Sequence, residues 1–331
     1  MESQKPALQS EYHVFSLRPV EHHDNLDSSI NPKTCNAGKT MRISKLKLTR
    51  CATYRALLMF ILIGFISGCA VKIVYNQLDW VIPWYLSDYM SLNSEQKNTF
   101  NDQLDRYLNW HRQTQLPLYG DFLNRVADKL NDGMTETSLS FVQERSRELG
   151  HALVKRLAPD MVLLFQGATD QQIAQLFDKF EQENKIYRQD YIDSSEKAQR
   201  KKRAKEIQVY VERWTGRLNK KQRGIIREGA AQYQLMGREF LQARRAWQTE
   251  FKRVLALRDQ PLVYQQALTA LLLSEGFGQT EAFHKKFAHN EKVLRALYLK
   301  LDKSLTSRQR KKAVNNLRGY ARDFYELARR G

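Results

Sequence analysis

Cysteine, proline and glycine are all scarce in this chain of 331 residues, which holds three, seven and fifteen of them. Three cysteines cannot build a disulfide-dense scaffold or a four-cysteine metal site. So little proline and glycine argues against a turn-rich β sandwich. Nothing alternates convincingly between apolar and polar, so sheets have no signature either. Gly-x-Ser-x-Gly, a phosphate-cradling glycine loop and a dinucleotide fingerprint are all missing. Acid is in deficit, 36 Asp and Glu against 54 Lys and Arg, a formal charge of +18 that favours acidic partners of some kind. What is present is 42% hydrophobic and 11% aromatic residues, enough for a packed core, with many helix formers.

The uncharged apolar run at residues 56–68 is too short to span a bilayer comfortably, which takes about 20 residues. Arg42, Lys45, Lys47, Arg50 and Arg55 precede it, with no acid after Asp27. A basic segment followed by a short apolar one reads as a secretory signal. The run ends Ile66-Ser67-Gly68-Cys69, which resembles the bacterial lipobox. That resemblance implies acylation of the Cys69 thiol, cleavage before it, and acylation of the new amino terminus. Ala70 follows, where an aspartate would resemble an inner-membrane retention signal, so the outer membrane is expected. Cys35 and Cys51 lie upstream of the cut, which suits a mature chain bound for an oxidising periplasm. Residues 1–40 are polar and aperiodic, and Met41 opens an ordinary signal segment. The expected division is therefore 1–40 as a disordered extension or mis-assigned start, 41–68 as signal peptide, and 69–331 as the body. Residues 1–68 hold nine basic and five acidic residues, so the body keeps a net charge of +14.

Helical periodicity runs through that body. Phe100, Leu104, Tyr107, Leu108 and His111 share one face; Ala313, Leu317, Tyr320, Phe324 and Leu327 share another. Ile226, Tyr233, Met236, Phe240, Trp247 and Phe251 read as one stripe of about eight turns. Pro117 is expected to open a helix, Pro159 to interrupt or start one, and Asn131-Asp132-Gly133 to turn. The fold class is all-α, with roughly eight to ten helices and room for a subdivision near residue 168. Tyr75, Trp80, Trp84, Tyr85 and Tyr89 read first as the core of the earliest helices, and alternatively as interfacial aromatics.

A short motif recurs. Leu92-Asn93-Ser94-Glu95-Gln96, Leu218-Asn219-Lys220-Lys221-Gln222 and Leu305-Thr306-Ser307-Arg308-Gln309 share Leu-[Asn/Thr]-x-x-Gln, and Ala168 to Gln172 is a degenerate copy. Each reads as a helix start, with Asn or Thr capping free amides and Gln reaching back. The pattern also loosely resembles the repeat of the Spy/CpxP periplasmic chaperone family. A second resemblance rests on Tyr75 to Trp80, Trp84 to Tyr89, Trp110-His111-Arg112 and Leu116 to Tyr119. These look like an uncharacterised family of proteobacterial lipoproteins, which implies an anchored, all-helical periplasmic body and no known activity.

His111 draws attention as a ligand or base beside Asp105 or Asp88, but reads better as a helix-face histidine packed under Trp110 and Tyr107 and bonded to a carboxylate. His111, His151, His284 and His289 are the histidines of the body, and none forms a His-x-x-x-His pair. No metal, cofactor or nucleic acid is expected. Arg200, Lys201, Lys202, Arg203 and Lys205 form the densest basic run, a solvated helix face or a contact for anionic lipid or envelope polymer. Glutamine in place of Arg200, Lys201, Lys202 and Arg203 is expected to leave the fold intact. The expected function is that of a lipid-anchored, non-catalytic binding or structural module, chaperone-like toward unfolded proteins. The alternative is an envelope enzyme acting on peptidoglycan or lipid.

Overall fold

The computed structural model describes residues 69–330, so the extension and signal-peptide expectations lie outside the described residues. All regular structure among them is helical, with no strand. The segments are α1 (Cys69–Tyr75), α2 (Leu78–Ser87), α3 (Ser94–Trp110), α4 (Leu116–Asp132), α5 (Glu136–Gln166) and α6 (Asp170–Tyr191). They continue as α7 (Glu196–Thr215), α8 (Lys220–Gln232), α9 (Gly237–Leu255), α10 (Pro261–Leu273), α11 (Glu281–Ser304) and α12 (Ser307–Arg329). A π turn, His111–Gln115, joins α3 to α4, leaving eleven continuous helices among the described residues.

Pro117 stands in the first turn of α4, as expected, and the π turn ahead of it is the unannounced feature, with the Leu116 amide bonding to the His111 carbonyl. Thr114 Oγ1 takes the Trp110 carbonyl at 2.7 Å. Two boundaries differ from the sequence expectation, each for a local reason. Pro159 lies inside α5, which runs on through it and is held by packing of Ala158, Val162 and Phe165. The long stripe from Ile226 is two helices, because tertiary hydrogen bonds take over at residues 231–234. The buried Asn290 side chain accepts from the Gln234 amide and donates to its carbonyl, both at 2.8 Å. Arg200 donates to the carbonyls of Ala231 and Tyr233. The Asn131-Asp132-Gly133 turn forms as read, with Gly133 at φ 99°.

Packing joins distant parts of the chain. α4 lies antiparallel to α12, through Asp121–Tyr325, Asp128–Arg318 and Leu130–Arg310. α8 and α11 are likewise antiparallel, so close that a Cβ at Gly229 would meet the Leu297 side chain. The largest apolar cluster draws Val162 and Phe165 of α5, Leu176 of α6, Phe251 and Val254 of α9, and Tyr264 and Leu268 of α10. It therefore spans both sides of residue 168. A second cluster joins Ile207 of α7, Ile226 of α8 and Leu294 and Leu297 of α11.

All four copies of the short motif are capping boxes with both bonds in place, at Asn93/Gln96, Thr169/Gln172, Asn219/Gln222 and Thr306/Gln309. They also meet in pairs. Gln96 and Gln172 exchange amide hydrogen bonds at 3.2 and 2.7 Å, and Gln222 and Gln309 do so at 2.8 and 3.0 Å. Each glutamine spends its second N–H on the carbonyl two residues ahead of its partner's N-cap. The acceptors are Gly167 for Gln96, Ser91 for Gln172, Ser304 for Gln222 and Arg217 for Gln309. Two quasi-two-fold clasps result, one between the starts of α3 and α6, the other between those of α8 and α12. The second is sealed, with Gln222 at 0% exposure.

Candidate functional site

The first two helices carry the unusual surface of the molecule. Cys69 is the first residue of α1. Lys72 ties α1 to α12, with Nζ 2.6 Å from Glu326 and 3.3 Å from Asp323. These two acids raise the ammonium's pKa, Glu326 most. Tyr75 plugs a small cluster with Leu116 and Leu327. α2 then has no buried residue, although only Asp79 and Ser87 among its ten are polar. Trp80 and Trp84 stack at 6.3 Å with exposures of 64% and 57%, and Tyr85 is 53% exposed. The first reading of the early aromatics therefore holds for Tyr75 and fails for these three. α2 packs chiefly against α3, and one neighbour cannot cover a helix apolar on most of its circumference. Tyr89 bridges the two situations, half-buried against Phe180 with its hydroxyl donated to Glu183.

Beside α1 lies a cleft of about 330 Å³, lined by Tyr75, Asn76, Asp79, Asp105, Asn109 and Arg112. The π turn positions Arg112 there, its guanidinium 5.3 Å from the Tyr75 ring centroid and its buried Nε without a partner. Among the described residues none of these three charged groups forms an ion pair, so a polar ligand with separated charges matches the cleft's chemistry.

His111 sits behind this cleft and does not reach a carboxylate. Its Nδ1 is 2.9 Å from the Tyr75 hydroxyl, and Tyr107, Trp110 and Tyr119 surround the ring at 5.4–6.3 Å between centroids. Burial pushes its pKa down to about 4, so the ring is neutral and Tyr75 can donate to it. Packing under Trp110 and Tyr107 was legible in the sequence. Tyr75 as the partner was missed; its place in a neighbouring motif was the available signal. The sequence does hold Glu-x-x-His spacings at Glu148–His151 and Glu281–His284. Among the described residues, no three His, Cys, Asp or Glu side chains gather as a metal site would require.

The basic run lies on α7 and is divided in use. Arg200 holds the α8–α9 connection, as above. Lys202 stands 4.1 Å over the Tyr191 ring and 3.2 Å from Asp190. Arg203 donates to the Tyr233 hydroxyl at 2.8 Å. Lys201 and Lys205 are exposed. Replacing the first four with glutamine would therefore disturb the fold, contrary to the sequence expectation, because three of them hold neighbouring segments.

A family model described as a family of unknown function (DUF6279) matches residues 88–279, more than half of the chain, and the chain belongs to that family. No curated protein and no solved structure matches it.

Proposed function

We propose that this member of the family is a lipoprotein acylated at Cys69, held at the outer membrane and facing the periplasm, whose body is a non-catalytic, chaperone-like binding module. One observation carries the binding-module reading: the chain's conspicuous polar motifs are spent on holding helices together. Gln96, Gln172, Gln222 and Gln309 are consumed in the two clasps, and His111 in an aromatic cluster. Outside the cleft, what remains accessible is apolar helix surface and basic charge, the means of binding rather than of bond cleavage. The clasped Leu-[Asn/Thr]-x-x-Gln starts also support the likeness to Spy/CpxP chaperones.

The test is suppression of aggregation. The full chain, added to a thermally denaturing client enzyme, is expected to lower light scattering in proportion to its concentration. Scattering unchanged at an excess of the chain would overturn the chaperone-like reading. The cleft favours one second reading, an envelope enzyme using Asp79 and Asp105 as acid and base. Asp79→Asn and Asp105→Asn separate the two: both carboxylates are exposed, so a binding module keeps its function and an enzyme loses it.

A further inference from the structure

We infer that the exposed face of α1 and α2, together with the last turns of α12, is a seat for an anionic lipid bilayer, entered by Trp80, Trp84 and Tyr85. This rests on the lipid-anchor reading and adds to it a built contact that fixes how the body stands on the membrane.

The composition of the face matches the headgroup region. Tryptophan and tyrosine concentrate there because their rings are apolar at one end and polar at the other. Trp80, Trp84 and Tyr85 lie on a helix with nothing buried, and Ile73 and Val74 extend the apolar surface onto α1 at 65% and 47% exposure. An apolar patch of this kind on one side of a protein marks a contact surface.

Continuity with the anchor names the occupant. Trp80 and Trp84 stand only 11 and 15 residues after Cys69. The intervening α1 is seven residues, about 10 Å long. Acyl chains on Cys69 would thus bring this face against the lipid, ahead of any soluble partner. Charge agrees. Lys72 docks α1 on α12 through Asp323 and Glu326, and Arg322 supplies the second positive charge that balances these two acids. That leaves Arg329 and Arg330, exposed at the end of α12, as the excess basic charge. Each basic residue near an anionic surface adds an attraction that falls with salt.

The experiment uses the full chain extracted from membranes and reconstituted into vesicles of phosphatidylcholine and phosphatidylglycerol with brominated acyl chains, which quench nearby tryptophan. Trp80 and Trp84 are two of five tryptophans. Wild type is expected to be quenched, and Trp80→Phe with Trp84→Phe to abolish most of that quenching. Arg329→Gln and Arg330→Gln together should weaken it and flatten its salt dependence. Flotation of wild type and Cys69→Ala reads the anchor separately. A chain that floats with Trp80 and Trp84 unquenched overturns the seat and leaves the anchor. Cys69→Ala that floats and is quenched like wild type overturns the anchor and leaves the seat. Tryptophans shielded from both brominated lipid and aqueous iodide would place a second copy or another protein on this face, and would also overturn the seat.

Discussion

Replacing Gln222 with Glu distinguishes a helix cap from an interhelical clasp. At N3 of a capping box, glutamate serves as well as glutamine, because only an oxygen is needed to accept the N-cap amide. If Gln222 merely starts α8, the substitution should be neutral. In the structure its Oε1 accepts from the Asn219 amide at 3.0 Å, while its Nε2 donates to the Ser304 carbonyl at 2.9 Å and to Gln309 Oε1 at 2.8 Å. Glutamate keeps the cap and turns both donations into oxygen facing oxygen at a site with no exposure. Loss of two buried hydrogen bonds, with their acceptors orphaned, costs about 2–5 kcal/mol before any charge burial. Gln222→Ala loses all four bonds at about 1 kcal/mol each, or about 4 kcal/mol, slightly offset by alanine's helix propensity. Two of those bonds are shared with Gln309. The Gln222→Ala and Gln309→Ala costs should therefore overshoot the double mutant by about 2 kcal/mol. Gln96→Ala, in the half-buried clasp, should cost only about 1–2 kcal/mol because water can replace the lost partners. Urea unfolding followed by far-ultraviolet circular dichroism reads all of these. A neutral Gln222→Glu, or additive single costs, would refute the clasp.

The His111 ring, with its pKa held near 4 against an unfolded value near 6.5, gives a pH prediction. Its neutral form is favoured in the fold, so its contribution of about 3 kcal/mol is complete above pH about 6.5 and fades as pH falls toward 4. Urea midpoints of wild type and His111→Gln across that window should converge on acidification; a constant gap contradicts the assignment. Gly237→Ala should destabilise by about 2–4 kcal/mol, since its Cβ would meet the Tyr191 backbone carbonyl, which cannot swing aside. A midpoint equal to wild type would show that α6 and α9 are less closely apposed. Tyr264→Phe should cost about 1–2 kcal/mol, because its fully buried hydroxyl donates to the Val162 carbonyl at 2.9 Å. A neutral substitution would mean that bond contributes nothing.

Local rules made the helices and the four motif starts legible, since apolar spacing and capping residues act within one or two turns. Their pairing was not, because Gln96 and Gln172 are brought together by the path of the chain between them. The break after α8 was hidden for the same reason: Tyr233 and Met236 continue the apolar stripe, and only Asn290 and Arg200, remote in sequence, compete for the backbone. Trp80 and Trp84 were read first as core because periodicity reports which residues share a face, and not whether that face is covered. Arg200 and Arg203 read as surface charge, but each long side chain reaches across to α8 and the segment after it. The cleft residue Arg112 was visible within Trp110-His111-Arg112, whereas Asp79 and Asn76 joined it only through the docking of α1.

The intact mass of the mature protein extracted from cell envelopes decides whether Cys69 is the acylated first residue. A chain beginning at Cys69 and heavier than its sequence by a diacylglyceryl group and one further acyl chain is predicted, with all the added mass lost in Cys69→Ala. A mass that retains residues upstream of Cys69, or that carries no acyl group, would contradict it.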